Sequence, residues 1–569
     1  MRKSVEASQG RAAPRSTRAP YVAAIAVFLA SIVAITGAQP SSAAVERTWY
    51  VATTGDDGAR GSIDEPFATL AHAVRRAVSG DTIVMRGGVY RESVQVFGEA
   101  LAIESAPGER AVLDGAVDVT GWSAAGDLWV ADGWTTQFSR EPSGGPVAGD
   151  RIIAGYPDQL FVDGEAFRQV LDRSEVAAGV FFHDTARDQL WIGSDPSGRR
   201  VEASTLRYGL YFNNAHGSSL SGVTLRRFAT EWRDMAALRV YSDDVVVSDV
   251  TVRANARMGV SAIGSDIVVR NSDIVGNGYL GVHGDQLDGF VLENSTVRSN
   301  NREGFDEFHS AGGVKITDST GVTIRDNEVS GNDGPGVWAD LDVVAMTVVG
   351  NLVDGNSRAG IEIELSSRVN VLDNVALDNG EAGIWLIESR DVQVLHNASF
   401  GNVNGIEVEE GPRREVANIR VENNTIGDAA PGSRALLDIN DWTATRSAAD
   451  MDVQYGYNAY WIPPDSATTV LSRIGRWPDQ PARSADIDEH RAVSDQAVSS
   501  SVSRSNTNPY VSASAARDYR WLESSGLGSP LTSGAARALG VEAGDRLSIG
   551  PVTPLVRRWD GAGGLLSAD

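Results

Sequence analysis

Hydrophobic and polar residues alternate in short segments along the middle of this chain. In residues 359–366, AGIEIELS, the apolar side chains Ile361, Ile363 and Leu365 stand at every second position, with polar side chains between them. Period two is the pattern of a strand with one buried face. Two more short segments of alternating or β-branched residues follow before the pattern recurs. The pattern therefore predicts three short strands per repeat.

An asparagine marks each repeat. These asparagines are Asn255, Asn277, Asn300, Asn332, Asn356, Asn379 and Asn402, at steps of 22, 23, 32, 24, 23 and 23 residues. A fixed period of this size indicates a solenoid, and three strands per turn make it an all-β parallel β-helix. The one long step predicts a loop that bulges from the wall between Asn300 and Gly313.

A second asparagine column lies five residues before the first. It consists of Asn327, Asn351, Asn374 and Asn397. Stacked side-chain amides can hydrogen-bond from one coil to the next. We therefore predict an amide ladder that holds the coils in register.

The segments at the ends of the chain depart from the repeat. Residues 45–116 predict an N-terminal cap and the first coils, with a helix that begins at Pro66. The helix is expected to turn its apolar positions inward. These positions are Phe67, Leu70, Ala71, Val74 and Val78. Residues 205–440 predict the coils that carry the site, and residues 441–569 a closing coil with an irregular extension that includes a helix near 533–539.

Residues 117–204 lack the repeat. They contain hairpin-like segments such as DQLFVDGEAFRQV, with an Asp-Gly turn between apolar runs. We expect a small β-subdomain inserted into the solenoid.

The first 44 residues have the features of a secretory signal peptide. A basic stretch precedes an apolar run at 21–37, and Ser42-Ala43-Ala44 is a small-residue cleavage site. The alternative is an uncleaved membrane anchor, but the apolar run is short for a span. We expect a secreted protein, cleaved near Ala44, that does not associate with the membrane afterwards.

Charge and cysteine content exclude several classes of function. The chain carries a net charge of −25, and loss of residues 1–44, which hold five basic and one acidic residue, leaves −29. Such acidity argues against nucleic acid or anionic membranes as partners. The chain has no cysteine, which excludes disulfides and thiolate chemistry. A monomer is expected.

The outward positions of the predicted strands carry unusual chemistry. Aligning the coils by the glycine that opens each strand gives one column of His283, Lys315, Trp338, Glu362, Trp385 and Glu407, and a second of Asp285, Thr317, Asp340, Glu364, Ile387 and Glu409. Outward tryptophans offer apolar platforms for sugar rings, and neighbouring carboxylates can act as acid, base or cation ligands. The alternative is that the glutamates only solubilise an outer face.

Lys315 is the only lysine after Lys3. Unlike arginine, a lysine can lose its proton and act as a base. The alternative is a plain ion pair with Asp340. The predicted loop adds Arg302 and His309 beside this column, and His309 could equally be structural.

The chain resembles the right-handed parallel β-helix proteins of the pectate-lyase-like superfamily. The resemblance rests on the entry segment, with Tyr50-Val51, Pro66-Phe67-Ala68-Thr69 and Gly80-Asp81-Thr82, and on the coils up to about residue 440. It implies a polysaccharide substrate on an outer parallel sheet. Glu362-x-Glu364 followed by Arg368 is loosely similar to the calcium-binding motif of the chondroitinase B and alginate lyase type, although an arginine replaces the expected lysine. The polygalacturonase and alginate-epimerase motifs are not present.

Three hypotheses follow. The first is a calcium-assisted polysaccharide lyase, in which Asp340, Glu362 and Glu364 hold calcium, Lys315 is the base, and Arg358 or Arg368 clamps the substrate. The second is a glycoside hydrolase with Glu362 and Glu407, about 9.6 Å apart at the backbone, and an Asp340–Glu364 pair that shares a proton. The third is a glycan-binding solenoid without catalysis. Calcium is expected only for the lyase.

Overall fold

The asparagine repeat folds as predicted, into stacked coils of three strands each. The computed structural model describes residues 46–232, 236–464, 466, 470–476, 482–493, 499–504, 531–539 and 551. The signal peptide predicted at 1–44 lies outside them. Within them, three sheets of thirteen strands each run the length of the solenoid, and neighbouring strands pair in parallel except at the last pair of one sheet.

The sheet that carries the site is called the site sheet. Its strands, in spatial order, are Val94–Phe97, Leu210–Asn213, Ala236–Tyr241, Met258–Ser265, Leu280–Asp288, Gly312–Thr317, Val337–Asp340, Ile361–Glu364, Ala382–Ile387, Asn404–Glu410, Leu437–Asp441, Ser472–Arg476 and Ala482–Ser484.

Two further long sheets complete each coil. The second sheet contains Thr48–Val51, Thr82–Met85, Ala102–Ser105, Ser219–Ser221, Val246–Ser248, Val268–Arg270, Val291–Glu293, Thr323–Arg325, Thr347–Val349, Ser367–Leu372, Arg390–Leu395, Ala417–Glu422 and Val453–Gln454. The third sheet contains Gly88–Tyr90, Ala111–Asp114, Val223–Arg226, Thr251–Arg253, Asp273–Val275, Thr296–Arg298, Glu328–Ser330, Leu352–Asp354, Val375–Leu377, Ala398–Phe400, Thr425–Gly427, Ala459–Trp461 and Ser501–Ser503.

Both asparagine columns form ladders inside the turns. Each side-chain amide donates to the side-chain oxygen of the asparagine in the next coil, at 2.8–3.0 Å from Asn255 to Asn402 and at 2.9–3.1 Å from Asn327 onwards. The same oxygens accept backbone N–H groups. The second ladder is confirmed, and it continues to Asn424 and Asn458. The turns therefore satisfy their buried polar groups from coil to coil.

The inside of the coils is apolar and continuous. One cluster of buried side chains, mostly valine, isoleucine and leucine, runs from Val51 near the start of the solenoid to Ile474 near its end. Because each coil stacks on the next, the core grows with the repeat and needs no disulfide.

A short helix covers the first coil, as expected, but its bounds differ from the prediction. The helix is Leu70–Arg76, and the side chain of Thr69 caps its N-terminus. Phe67, Leu70, Ala73 and Ala77 are buried, whereas Val78 is 51% exposed. Val78 was wrongly expected to face inward, because the helix ends before it and Ala77 is already extended.

The inserted subdomain forms a sheet of eight strands in the described residues. In spatial order they are Ala116–Asp118, Val201–Ser204, Leu160–Val162, Glu165–Val170, Val180–Asp184, Gln189–Ile192, Leu128–Asp132 and Ser123–Ala125. Short 3₁₀ helices occur at Ile152–Gly155 and Arg173–Glu175. Buried Arg227 of the solenoid pairs with Asp114 and with Glu202, so that the insertion is fixed where it leaves and rejoins the coils.

Two further helices follow the coils, Ile487–Val493 and Ser533–Leu539. The second packs Ala535 and Ala536 on Leu372 and Leu395 of the second sheet. It is the helix that the sequence predicts near 533–539. No helix in the described part of the chain is long and apolar enough to cross a membrane.

The ladders generate a stability prediction. Asn356 is 1% exposed; its side chain donates to Asn379 and to the Val329 carbonyl, and accepts from Asn332. Replacing Asn356 with Ala leaves buried partners unsatisfied, so we expect the free energy of unfolding to fall by about 3 kcal/mol. Chemical denaturation measures this loss. In the control Asn370→Ala, which removes a half-buried amide from the outer face, we expect a loss of less than about 1 kcal/mol. Equal losses would contradict the structural role of the ladder.

Candidate active site

The strand pairing puts the predicted site residues into one column across the site sheet. Partners in register run, in order, Tyr211, Arg239, Ser261, His283, Lys315, Trp338, Glu362, Trp385, Glu407, Asp438 and Arg473. This column from His283 to Glu407 is called the strip. Its order agrees with the alignment by opening glycines.

The strip is far less solvated than an outward face was expected to be. Lys315, Trp338, Glu362 and Glu407 are 4%, 3%, 1% and 1% exposed. The loop between Asn300 and Gly313 and a set of arginines from the turns lie over these side chains, as the contacts below show. The reading of the glutamates as solubilising groups therefore does not apply to Glu362 and Glu407.

Lys315 is held from three directions. Its Nζ lies 2.9 Å from Asp340 Oδ2, donates to the His309 carbonyl at 3.1 Å, and lies 3.2 Å from the centre of the Trp338 ring. Burial lowers the pKa of Lys315, and the neighbouring Asp340 opposes this shift. The ion pair that the sequence allowed as an alternative is thus present.

Asp340 keeps one oxygen free. Its Oδ2 pairs with Lys315, whereas its Oδ1 is buried without a hydrogen-bond partner. Asp340 stands two positions after Trp338, and Trp338 is the register partner of Glu362. The Cα atoms of Asp340 and Glu362 are therefore roughly 8 Å apart on adjacent strands.

Glu362 is as deeply buried as Glu407, the other carboxyl group of the strip. Burial raises its pKa to about 8, although Arg358, whose Nη1 lies 3.8 Å from Glu362 Oε2, acts in the opposite direction. Oε2 has no hydrogen-bond partner. Glu362 is thus a protonated acid at neutral pH, next to a carboxylate that Lys315 neutralises.

Glu364 has a different environment. It is half-buried, accepts a hydrogen bond from Trp338 Nε1 at 3.2 Å, and pairs with Arg413 at 2.5 Å. Asp340 and Glu364 were expected to share a proton, but each has its own basic partner in the structure. Lysine and arginine side chains from other coils thus reach the two carboxylates, and the shared proton stays a prediction.

Glu407 lies one strand beyond Trp385 and is fully engaged. It accepts from Asn404 at 2.9 Å and pairs with Arg434, which also contacts Asp438. Burial raises its pKa, and the charge of Asp438 adds to the rise. Because both of its oxygens have partners, Glu407 is a weaker candidate for proton transfer than Glu362.

His283 is neutral at the other end of the strip. Burial lowers its pKa to about 4, and the charge of Lys315 adds to this shift while Asp285 opposes it. Its Nδ1 is buried without a partner. A neutral imidazole beside Lys315 can accept or donate a hydrogen bond but is not a cation.

The two tryptophans differ in access. Trp338 is buried and Lys315 covers one ring face, so Trp338 does not offer the sugar platform that its sequence position suggested. Trp385 is half-buried, with its Nε1 unpartnered. Within the strip, Trp385 and His283 remain partly exposed, and so does Glu364 in the neighbouring column.

The predicted basic residues are not all at the site. Arg358 is, since it pairs with Glu381, approaches Glu362 and stacks on Phe308. Arg302 is exposed and pairs with its neighbour Glu303. Arg368 is exposed at the start of the Ser367–Leu372 strand, which belongs to the second sheet. Arg368 was therefore misassigned as a clamp, because the chain turns between Glu364 and Ser367.

His309 contributes through its backbone. Its carbonyl accepts from Lys315, while its imidazole is exposed and contacts Ser310. The loop that carries it is supported by the insertion: the Asp306 N–H donates to the Pro146 carbonyl at 2.9 Å, and Arg151 pairs with Glu307 at 3.0 Å. The inserted subdomain thus helps to place the loop over Lys315.

The donor set for calcium does not assemble. Within the described ranges, no group of three or more His, Cys, Asp or Glu side chains could hold a metal ion. Asp340, Glu362 and Glu364 face Lys315, Arg358 and Arg413 respectively. Calcium favours several carboxylate or carbonyl oxygens around one point, so these residues do not fit it.

Several residues of the site were missed from the sequence. Arg413 pairs with both Glu364 and Glu388, and Asp438 and Arg473 extend the column beyond Glu407. The sequence does mark the coils that carry Arg413, Asp438 and Arg473, because the second asparagine ladder continues at Asn424 and Asn458. The steps of 27 and 34 residues hid these two coils.

Comparison with known proteins agrees with this fold. A family model described as a right handed beta helix region matches residues 236–399 and 347–440, which is less than half of the chain. A stretch of 71 residues is 34% identical to the uncharacterized protein YwoF of Bacillus subtilis (strain 168), and covers 12% of this chain and 15% of that protein.

The chain is also similar to solved structures of other proteins. The complex of XylC with xylose is 15% identical, with a TM-score of 0.65, and the match covers 89% of this chain and 98% of that one. The A-module of the mannuronan C-5 epimerase AlgE4 of Azotobacter vinelandii is 15% identical, with a TM-score of 0.42 over 69% of this chain and 88% of that one. At such identities the likeness concerns the fold. The protein is a right-handed parallel β-helix.

The raised pKa of Glu362 generates a prediction on pH. Its pKa is about 8 when folded and near 4.5 in a model compound. Its contribution to stability is therefore complete below pH 4.5 and is lost as the pH rises towards 8, because the unfolded chain releases the proton first. We expect the melting temperature to fall over this range, and Glu362→Gln to reduce the slope. An unchanged slope in the variant would show that Glu362 is ionised in the folded protein.

Proposed function

We propose that the protein is a carbohydrate-active enzyme that hydrolyses a glycosidic bond, with Glu362 as the proton donor and Asp340 as the second carboxyl group. The observation that supports this is a pair of buried carboxyl groups on adjacent strands, each with one oxygen free of hydrogen bonds. One is protonated through burial, and the other is paired with Lys315. Glycoside hydrolysis needs such a pair in opposite protonation states.

The roles follow from the contacts. Glu362 Oε2 has no hydrogen-bond partner, so its proton passes to the leaving glycosidic oxygen once the substrate displaces the groups that bury it. Asp340 Oδ1, which has no hydrogen-bond partner, takes a proton from the water whose oxygen attacks the anomeric carbon, and the glycosidic C–O bond breaks as the leaving oxygen receives the proton of Glu362; Lys315 neutralises the charge of Asp340. Arg413 and Trp338 hold Glu364 beside them. Trp385, half-buried next to Glu362 in register, offers a ring to the apolar face of a sugar.

A polysaccharide partner and secretion belong to the same proposal. The predicted signal peptide would deliver the chain to the extracellular space, where polysaccharides are met. No step of the proposed reaction passes through calcium: Asp340 and Glu364 are paired with Lys315 and Arg413, and Glu362 acts as the acid.

The proposal predicts the effect of removing the acid. Glu362→Gln keeps the shape of the protonated side chain but cannot donate its proton, so we expect turnover to fall about 10²–10⁴-fold. The assay measures reducing ends on a panel of neutral and acidic polysaccharides. The matched control is Glu293→Gln, because Glu293 is also buried and paired with an arginine, but on the second sheet. Equal activity in both variants, or no turnover by the parent chain on any polysaccharide, would contradict the proposal; the second result would favour a binding solenoid.

A second candidate is elimination with Lys315 as the base, which the lowered pKa of this lysine favours. The two reactions differ in what they need from Lys315. Hydrolysis needs only its positive charge beside Asp340, whereas elimination needs a group that can lose a proton, which arginine cannot.

The variant Lys315→Arg separates these candidates. For hydrolysis we expect Lys315→Arg to retain activity within about tenfold and Lys315→Met to lose considerably more, because an uncompensated buried carboxylate is costly. Ultraviolet absorbance is recorded together with reducing ends. Absorbance that rises with reducing ends in the parent chain and vanishes in both variants would establish elimination instead.

A further inference from the structure

A cavity of about 230 Å³ lies in the inserted subdomain, away from the strip. It opens where the strands Glu165–Val170 and Val180–Asp184 end; these two strands pair in parallel. Its lining includes Arg140, Tyr156, Gln169, Phe182, His183 and Thr185. A neighbouring cavity of about 250 Å³ shares Arg140 and Thr185 and reaches Asp158.

Two buried polar atoms of this lining have no partner. The His183 side chain is fully buried; its Nδ1 lies 2.8 Å from Asp158 Oδ1, and its Nε2 is unpartnered. Gln169 is 8% exposed, and its amide group reaches Asp158 at 3.5 Å while its Oε1 is unpartnered. Buried polar atoms are nearly always hydrogen-bonded. Two such atoms from adjacent strands therefore point to a ligand that satisfies them.

The partners already present define what the ligand must supply. Asp158 accepts the proton on His183 Nδ1, and His183 Nε2 has no partner. Gln169 Oε1 is an acceptor without a partner, so the ligand must bring a donor to it. A hydroxyl group can donate as well as accept, so two adjacent hydroxyl groups satisfy Gln169 Oε1 and His183 Nε2 together. A carboxylate or phosphate oxygen has no proton to donate to Gln169 Oε1.

The remaining lining suits a sugar ring. Phe182 is half-buried and offers an aromatic surface to its apolar face. Arg140 is exposed and lies 4.0 Å from the centre of the Tyr156 ring, where its donors can reach a ligand oxygen. The cavities are small, of a size for one or two monosaccharide units.

We propose that this cavity binds a neutral glycosyl unit through His183, Gln169 and Arg140. The inference shares only the class of ligand with the proposed function and does not require bond cleavage. The segment that carries Tyr156 also contacts the loop over Lys315, through Pro146 and Arg151. The same insertion thus carries the cavity and the contacts that support the loop over Lys315.

The test measures binding in the full chain with Glu362→Gln, so that turnover does not interfere. The probes are tetrasaccharides of xylose, glucose, mannose and galacturonate, titrated by calorimetry. Arg140→Ala and Gln169→Leu remove one donor and one acceptor from the cavity. Arg199→Ala is the matched control, because Arg199 is an exposed arginine of the insertion and neither it nor its partner Asp163 lines the two cavities.

We expect at least one neutral tetrasaccharide to bind, about tenfold more weakly in Arg140→Ala and Gln169→Leu and unchanged in Arg199→Ala. Arg140 is exposed, so its variant folds even if Gln169→Leu does not. Neutral binding that neither cavity variant weakens would place the ligand elsewhere and overturn the proposal. Binding of galacturonate alone, or of no probe, would overturn it as well. None of these outcomes bears on the role of Glu362 as the proton donor, because that role is tested by turnover.

Discussion

The register of one coil on the next is the constraint on which the rest of this structure depends. Two asparagine ladders satisfy the buried backbone of the turns and fix each coil about 4.8 Å from its neighbour. Every outward side chain is thereby stacked on its counterparts in adjacent coils. A position that carries a carboxylate in several coils must then be neutralised by a proton or by a basic group, since like charges at this spacing repel.

The protein uses both solutions side by side. Arginines from the turns reach across the site sheet: Arg413 to Glu364, Arg434 to Glu407 and Arg473 to Asp438. Glu362 lies between Trp338 and Trp385 in register and keeps its proton through burial. Lys315 neutralises Asp340, one strand away. Asp340 and Glu362 therefore differ in protonation because of their neighbours. The coil before Asp340 supplies the cation Lys315, whereas the coils on either side of Glu362 supply the rings of Trp338 and Trp385.

The features that could be predicted are those that repeat. Three strands per coil, the amide ladder and the column from His283 to Glu407 all follow from one period, so a single sequence was enough. Burial of the strip was not predictable, because the covering groups come from segments outside the period: the loop that carries His309, and the turns that carry Arg413 and Arg434. The prediction of Arg368 as a clamp failed for the opposite reason. Arg368 is close to Glu364 in sequence, but the chain turns between them and Arg368 lies on the second sheet. The pocket around His183 depends on contacts between non-repeating segments of the insertion, which no spacing reveals.

The proposed reaction depends most on the proton that Glu362 carries. Infrared difference spectroscopy between the parent chain and Glu362→Gln observes that proton directly, because a protonated carboxyl group and a carboxylate absorb at different frequencies. At pH 6.5 we expect the parent chain to show the band of a protonated carboxyl group and Glu362→Gln to lack it. We expect this band to disappear as the pH rises through about 8. A carboxylate band at pH 6.5 that is lost in the variant would contradict the role of Glu362 as a protonated acid.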